Sequence, residues 1–424
     1  MIKTAQMPES GSVERRPDTP PGASLRILYL VHRVPYPPNR GDRIRSYHLL
    51  KFLAARGTVD LATLADEPVS AADRQRLAEL CRQVAIVPLS GGRWLRAAAA
   101  LGGGKSATEG LFHSAPLRAI VQQWSRENRY DAVVVFCSSM FPYALLPELG
   151  EARLLVDLVD VDSQKWFDYA DAAGFPRNRL YAWEGRRVRR LECQIVDRAD
   201  AVMLTSPQEA ELLRSFKPTD HAYGVSNGVD LDYYFPGAAT DAAARVLCVF
   251  VGVLDYRANV DGLRWFCSEV WPEVRRQIPD AMFNIVGRRP EAQVTALAKI
   301  AGVQVIGEVP DVRPYVAGAE ISIAPLRVAR GIQNKVLEAM AMGRAVVASP
   351  QALEGITHDP GVHAVAARTP DDWVAAIVRL HGDATDRQRL GMAARAMVER
   401  CYTWEKCLAP VDDLLGLATQ EVGT

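Results

Sequence analysis

From Leu25 onward the chain alternates short apolar runs with longer amphipathic stretches, and it does so through two successive halves. In the first half Ile27–His32, Val59–Leu64, Val84–Leu89, Ala132–Cys137, Leu154–Leu158 and Ala201–Thr205 read as strands. Helical patterns separate them at 43–56, 71–82, 117–129, 179–198 and 207–216. Val246–Gly252, Ala281–Val286, Val303–Ile306, Ile321–Ala324 and Ala345–Ala348 continue the rhythm, with helices over 260–277, 293–301, 312–317, 370–380 and 387–400. Strands this apolar must be covered on both faces, and the helices between them make them parallel. The expected class is α/β, with two doubly wound, Rossmann-like domains, because 424 residues exceed one ordinary core.

Asn227-Gly228 is a turn signal and marks the boundary. The chain then divides into a leader at 1–24, a first domain at 25–226, a second at 227–403, and a segment at 404–424 expected to form a helix crossing back to the first domain. Two such domains enclose a cleft at the carboxyl ends of their strands, where ligands of open α/β sheets bind. Lys+Arg and Asp+Glu number 50 each, so nothing points to nucleic acid. Seven scattered cysteines without a CxxC pair argue for reduced thiols rather than a disulfide frame or zinc site. Residues 1–24 are polar and proline-rich, unlike a signal peptide, and are expected to be disordered. No run has the length of a transmembrane helix, so the expected location is the cytoplasm, with any membrane contact at its inner face. Ser90–Gly110 is expected to be a flexible loop, with a short membrane-touching helix as the alternative.

The segment Arg330–Val347, RGIQNKVLEAMAMGRAVV, carries the chemistry. A helix is expected to start at Gly331 and to end at Gly343. Its first amides, those of Gly331 and Ile332, and the positive end of its dipole favour a phosphate. Lys335 adds a cation, and Glu338 is expected two turns in, where its carboxylate accepts the hydroxyls of a ribose. The alternative is a surface ion pair on an ordinary helix.

GIQNKVLEAMAMGRAVV resembles the donor-binding motif of family 4 glycosyltransferases, retaining enzymes of the GT-B fold. NGVDLDYYFP, from Asn227, resembles the interdomain crossover of that family. The resemblance implies a nucleotide-diphospho-sugar donor on the second domain, bound by Gly331, Ile332, Gln333, Asn334, Lys335 and Glu338. It implies no metal and no separate cofactor. The family often has a Glu eight residues before Glu338; here that position is Arg330. Gly252 to Asn259, GVLDYRAN, resembles the donor loop, with Gly252, Arg257 and Asn259 as candidate contacts. Many relatives carry a basic pair in that loop; here Val253 and Asn259 stand in those places. Gly287 is expected to line the cleft, Arg288 and Arg289 to meet phosphate or solvent, and Val309 to meet the nucleobase.

Val34–Ser46 contains PPNRGDRIRS, which resembles the loop of bacterial exopolysaccharide glycosyltransferases linked to exosortase (PEP-CTERM) loci. Gly41, Asp42 and Arg43 are candidates beside the reacting centre together with Lys335. Arg40 and Arg45 are candidates on the acceptor side, with Asp160 and Asp162. The alternative for this loop is a rigid turn with a solvated basic rim. Asp162 or Ser163 reads equally as a helix cap. Asp157, Asp160 and Asp162 lack the glycine and distal Glu of a calcium loop. None of His32, His48 and His113 is assigned a catalytic role. The implied function is sugar transfer to a glycan or polyprenyl-linked acceptor in exopolysaccharide synthesis. A sugar-nucleotide epimerase or hydrolase of the same fold, and a non-catalytic nucleotide-sugar-binding subunit, are the alternatives.

Overall fold

A computed structural model describes residues 25–89, 91–237, 246–329 and 331–417. The leader, Arg330 and the last seven residues lie outside these. Strands β1 (Leu25–Val31), β2 (Gly57–Ala65), β3 (Gln83–Pro88), β4 (Ala132–Phe136), β5 (Arg153–Val159), β6 (Ala201–Leu204) and β7 (Ala222–Gly224) form one parallel sheet in the order β3-β2-β1-β4-β5-β6-β7. Strands β8 (Val246–Val251), β9 (Phe283–Val286), β10 (Val303–Gly307), β11 (Ala319–Ala324), β12 (Ala345–Ala348) and β13 (Val365–Ala366) form a second, in the order β10-β9-β8-β11-β12-β13. Residues Ile27 to Val31 are all buried, as a central strand with helices on both faces requires. In each sheet the strand order reverses beside its first strand, between β1 and β4 and between β8 and β11, which opens a crevice there.

Four local expectations change. The helix expected from Gly331 runs over Asn334–Ala341, with Gln333 as its N-cap; Gly331 instead takes a left-handed φ of 60° in the preceding turn. Glu338 therefore lies about one turn into the helix, not two. The helix expected over 260–277 is Arg257–Trp265 and Trp271–Gln277 joined by a π-turn at Phe266–Val270. Pro272 explains the π-turn, since its ring clashes with the carbonyl four residues earlier in a regular helix. The expected loop at 90–110 is largely two helices, Arg93–Gly102 and Ala107–Leu111. Ser106 and Glu109 form a capping box at the start of the second, a local sign the sequence displays, and the Glu184 carboxylate adds to it by accepting from the Ala107 and Thr108 amides. Finally, 404–417 forms two short helices, Trp404–Leu408 and Pro410–Leu415, broken at Pro410.

A buried polar chain ties the first sheet to the crossover between the domains. Arg45, on the Gly41–Ala54 helix, is 1% exposed and donates to the Asp157 carboxylate of β5 at 2.7 Å. It also donates to Asn227 Oδ1 at 2.9 Å, and Asn227 Nδ2 donates to Asn334 Oδ1 at 3.1 Å. Beside it the outgoing and returning chains pair, with the Val229 amide donating to the Tyr402 carbonyl. A buried guanidinium stripped of its carboxylate is left uncompensated. Asp157→Ala is thus expected to destabilise the protein by about 3–5 kcal/mol. Urea unfolding followed by circular dichroism measures this, and an unchanged midpoint would show the pair to be dispensable.

Candidate functional site

The second-domain side of the site is built from glycines that let backbones touch. Gly287 follows β9 with φ 152°, and a Cβ there would stand 1.6 Å from the Gly252 carbonyl oxygen. Only a residue without a side chain fits. This contact holds the loop after β8 against the end of β9. Asn259, buried in the first turns of the helix that follows, donates to the Val253 carbonyl at 2.8 Å. Its Oδ1 accepts from Lys335 Nζ at 2.7 Å. The ammonium also lies 5.1 Å from the Phe250 ring centroid. The donor loop and the Asn334–Ala341 helix thus meet at one point.

Lys335 pairs with Asn259 rather than with Glu338, so the surface ion-pair alternative does not hold. Burial lowers the Lys335 pKa to about 8. Burial likewise raises Glu338 to about 7, with Lys335 and the Tyr234 hydroxyl opposing. Glu338 and Asn334 line a cavity of about 340 Å³ between the domains. Pro37, Pro38, Ile44 and His48 close it from the first domain, and Tyr233, Tyr234, Val309 and Trp404 from the other side. His48 stacks on Trp404 with centroids 4.5 Å apart and planes 5° from parallel.

The first-domain side is a mesh of charge. Arg33 Nη1 bonds Asp42 at 3.0 Å and its Nε bonds Asp66 at 2.8 Å. Arg40 pairs with Asp42 at 2.9 Å, and Arg43 with Glu67 at 3.0 Å. Burial pushes the Asp42 carboxyl up, but His32, Arg40 and Arg33 together hold it well below the usual carboxylate range. Across the cleft Arg289 reaches Glu67 at 3.5 Å. The expected basic rim is therefore neutralised in large part by Asp42, Asp66 and Glu67. Asp66 and Glu67 went unnoticed in the sequence, although an acidic pair just past an apolar strand was a usable sign. Gly41 is exposed, with open space around it.

Several candidates stand elsewhere. Arg45 does not face an acceptor; helical periodicity turns it inward onto Asp157. Asp160 Oδ1 accepts from Thr205 at 2.9 Å, and Gly331 presses on both, so a Cβ there would fall 2.8 Å from Asp160 and 2.7 Å from Thr205. The cradle loop of the second domain is thus seated on the first. Asp162 opens the Asp162–Asp171 helix and accepts from Lys165 at 2.9 Å. The three aspartates have three separate partners. Arg257 is exposed and lies 5.6 Å from the Tyr169 ring of the first domain. The Ile332 side chain is buried, and Val309 is half-buried. Tyr234 and Trp404 were missed because only the chain reversal brings them to the cavity.

Among the described residues three non-glycine residues carry positive φ: Cys137 at 73°, Val159 at 70° and Arg289 at 55°. Each follows or ends a strand at its carboxyl edge, on the cleft side. Such backbones cost about 1–3 kcal/mol each and cluster at functional sites.

Residues 245–383 match the family model described as glycosyl transferases group 1, and residues 21–224 the one described as glycosyl transferase 4-like domain. Together they span about four-fifths of the chain. An uncharacterized 44.6 kDa protein in the cps region of Klebsiella pneumoniae is 22% identical over 408 residues, covering 91% of this chain and 98% of that protein. Among solved structures, sucrose-phosphate synthase from Thermosynechococcus elongatus is similar at a TM-score of 0.68 and 19% identity, over 92% of this chain and 98% of that one. Anabaena HepE in complex with UDP-glucose is similar at 0.63 and 16%, over 93% and 100%.

The half-buried Glu338 generates a pH dependence. Its folded pKa of about 7 lies above the ordinary 4.5, so the folded state holds the proton longer than the unfolded state. Stability is then lost as pH rises between those two values. Glu338→Gln is expected to remove that slope. Chemical denaturation at pH 5, 6 and 7 compares the two, and parallel profiles would refute the burial of an ionisable group here.

Proposed function

We propose that this chain, which belongs to the GT-B glycosyltransferases, moves a sugar from a nucleotide-diphosphate donor on its second domain to a glycan or lipid-linked acceptor on its first. One observation carries the reading. A half-buried ammonium and a half-buried carboxylate share one helix at the interdomain cleft, with Glu338 lining the cavity and Lys335 held by Asn259 rather than by Glu338.

The chemistry follows from those two groups. Lys335 meets the diphosphate, where negative charge grows as the bond to the sugar breaks, and a preorganised cation in a water-poor site stabilises that charge most. The start of the Asn334–Ala341 helix adds its dipole. Glu338 accepts the ribose hydroxyls, and the base lies towards Val309 and Pro310. Positive charge at the reacting end comes from Lys335, while Arg40 and Arg43 beside Gly41 and Asp42 are matched by Asp42, Asp66 and Glu67; the scheme uses no metal. Asn259, in a place where many relatives carry a basic residue, supports the exchange by fixing Lys335 there instead. Retention of anomeric configuration rests on the family likeness. A role in polysaccharide assembly is supported by the relative in the cps region, and a place near exosortase-linked enzymes by the PPNRGDRIRS loop.

UDP and GDP, alone and as sugar conjugates, are the ligands to screen by thermal shift, with transfer and donor hydrolysis measured alongside. Lys335→Ala removes a charged hydrogen bond of about 1.5–3 kcal/mol, so nucleotide affinity is expected to fall about 10- to 100-fold. Glu338→Ala is expected to weaken nucleosides as well as nucleotides. Binding requires Glu338 ionised and Lys335 protonated. It is therefore expected to rise as pH approaches 7 and to fall above 8. Stabilisation that survives both substitutions would overturn the assignment. Hydrolysis or epimerisation without transfer would favour the other enzyme class, and binding without turnover the non-catalytic subunit.

A further inference from the structure

The Asp162–Asp171 and Arg177–Arg198 helices form a hairpin that begins at the carboxyl end of β5, on the cleft side. From Asp171 to Trp183 no residue is buried. At the tip Phe175 is 77% exposed and Leu180 is 56% exposed, unusual values for large apolar side chains. Arg177 and Arg179 flank them, Arg186 and Arg190 follow along the same helix, and none makes an ion pair among the described residues. Arg179, Arg186 and Arg190 recur at helical spacing along one stripe. An open groove at the tip is lined by Leu180, Trp183, Arg179 and Arg186, with Asp171 as its one acid. Exposed Lys105 adds to this face, because Arg187 donates to the Lys105 and Leu101 carbonyls and ties that segment to the same helix.

We propose that this tip docks on an anionic membrane surface. Apolar side chains projecting among unpaired arginines match a bilayer interface, where Phe and Leu enter the acyl boundary and guanidiniums meet lipid phosphates. A protein partner of ordinary composition has no need of four unpaired arginines. No helix among the described residues is long and apolar enough to cross a membrane, so the contact is peripheral. The geometry also gives the contact a direction. Trp166, Tyr169 and Tyr181 pack together along the hairpin, with Trp166 and Tyr181 centroids 5.7 Å apart, and Tyr169 reaches Arg257 across the cleft mouth. A bilayer at the tip therefore sits beside the opening between the domains. This inference goes beyond the donor reading and does not require it.

Flotation of the full chain with vesicles of phosphatidylglycerol and phosphatidylethanolamine, against pure phosphatidylcholine, tests it. The protein is expected to float with the anionic vesicles, to stay behind with the neutral ones, and to be released by salt. Phe175→Ser with Leu180→Ser, and separately Arg177→Glu with Arg179→Glu and Arg186→Glu, are expected to cut the bound fraction about tenfold or more. Circular dichroism melting confirms that each variant folds, and the nucleotide-induced thermal shift should be unchanged in both. Failure to float with anionic vesicles, equal floating of both variants, or a dimer in light scattering that either variant dissolves without any vesicle binding would each overturn the proposal. A lost nucleotide shift in the native chain would count against the donor site and not against this surface.

Discussion

The structure depends on a buried guanidinium. Arg45 joins Asp157 in the middle of the first sheet to Asn227 in the crossover, and through it to Asn334 at the start of the second domain's key helix. A charge this deep is tolerable only when its partners are in place. The chain of contacts therefore fixes the crossover against the first sheet. Asn334 is the residue before Lys335, so the position of the cation depends on it. The same interior constraint keeps the two domains adjacent at one end, leaving the cavity beside it.

On the other side of that cavity the constraint is steric rather than electrostatic. Gly252 and Gly287 bring two loops into backbone contact, and Gly331 does the same between the domains against Asp160 and Thr205. Where side chains are absent, main chains approach, and the amides and carbonyls of three strand ends converge on one region. The charged mesh of Arg33, Arg40, Arg43, Asp42, Asp66 and Glu67 then faces this region with most of its charges matched. Fixed dipoles and paired charges of this kind need little rearrangement when a substrate's charge changes. The strained backbones at Cys137, Val159 and Arg289 border the same cleft.

Much of this was readable from the chain. Strand after strand appeared within a few residues of its place, since a fully buried parallel strand has to be apolar along its whole length. Lys335 and Glu338 stood out because their spacing on a helix puts them on one face. Other readings failed for nonlocal reasons. The start of the cradle helix moved to Asn334 because Gly331 is used for a contact with the other domain. Arg45 looked like part of a basic rim, and only its pairing with a residue 112 positions away explains its burial. The 90–110 segment was, by contrast, a local miss, since Ser106 and Glu109 form a capping box readable in the chain and Glu184 of another helix only adds to it.

The sequence by itself determined the class of fold and the helix that bears the cation and the carboxylate. Apolar periodicity and turn chemistry act over neighbouring residues, so they are written in short segments. Tertiary structure alone decided which charges are free and which are matched. It also decided that Asn259 holds Lys335, and that Tyr234 and Trp404 share a cavity with a proline loop from the other domain. Those outcomes depend on desolvation and on distances between atoms far apart in the chain, and no local pattern of residues encodes either.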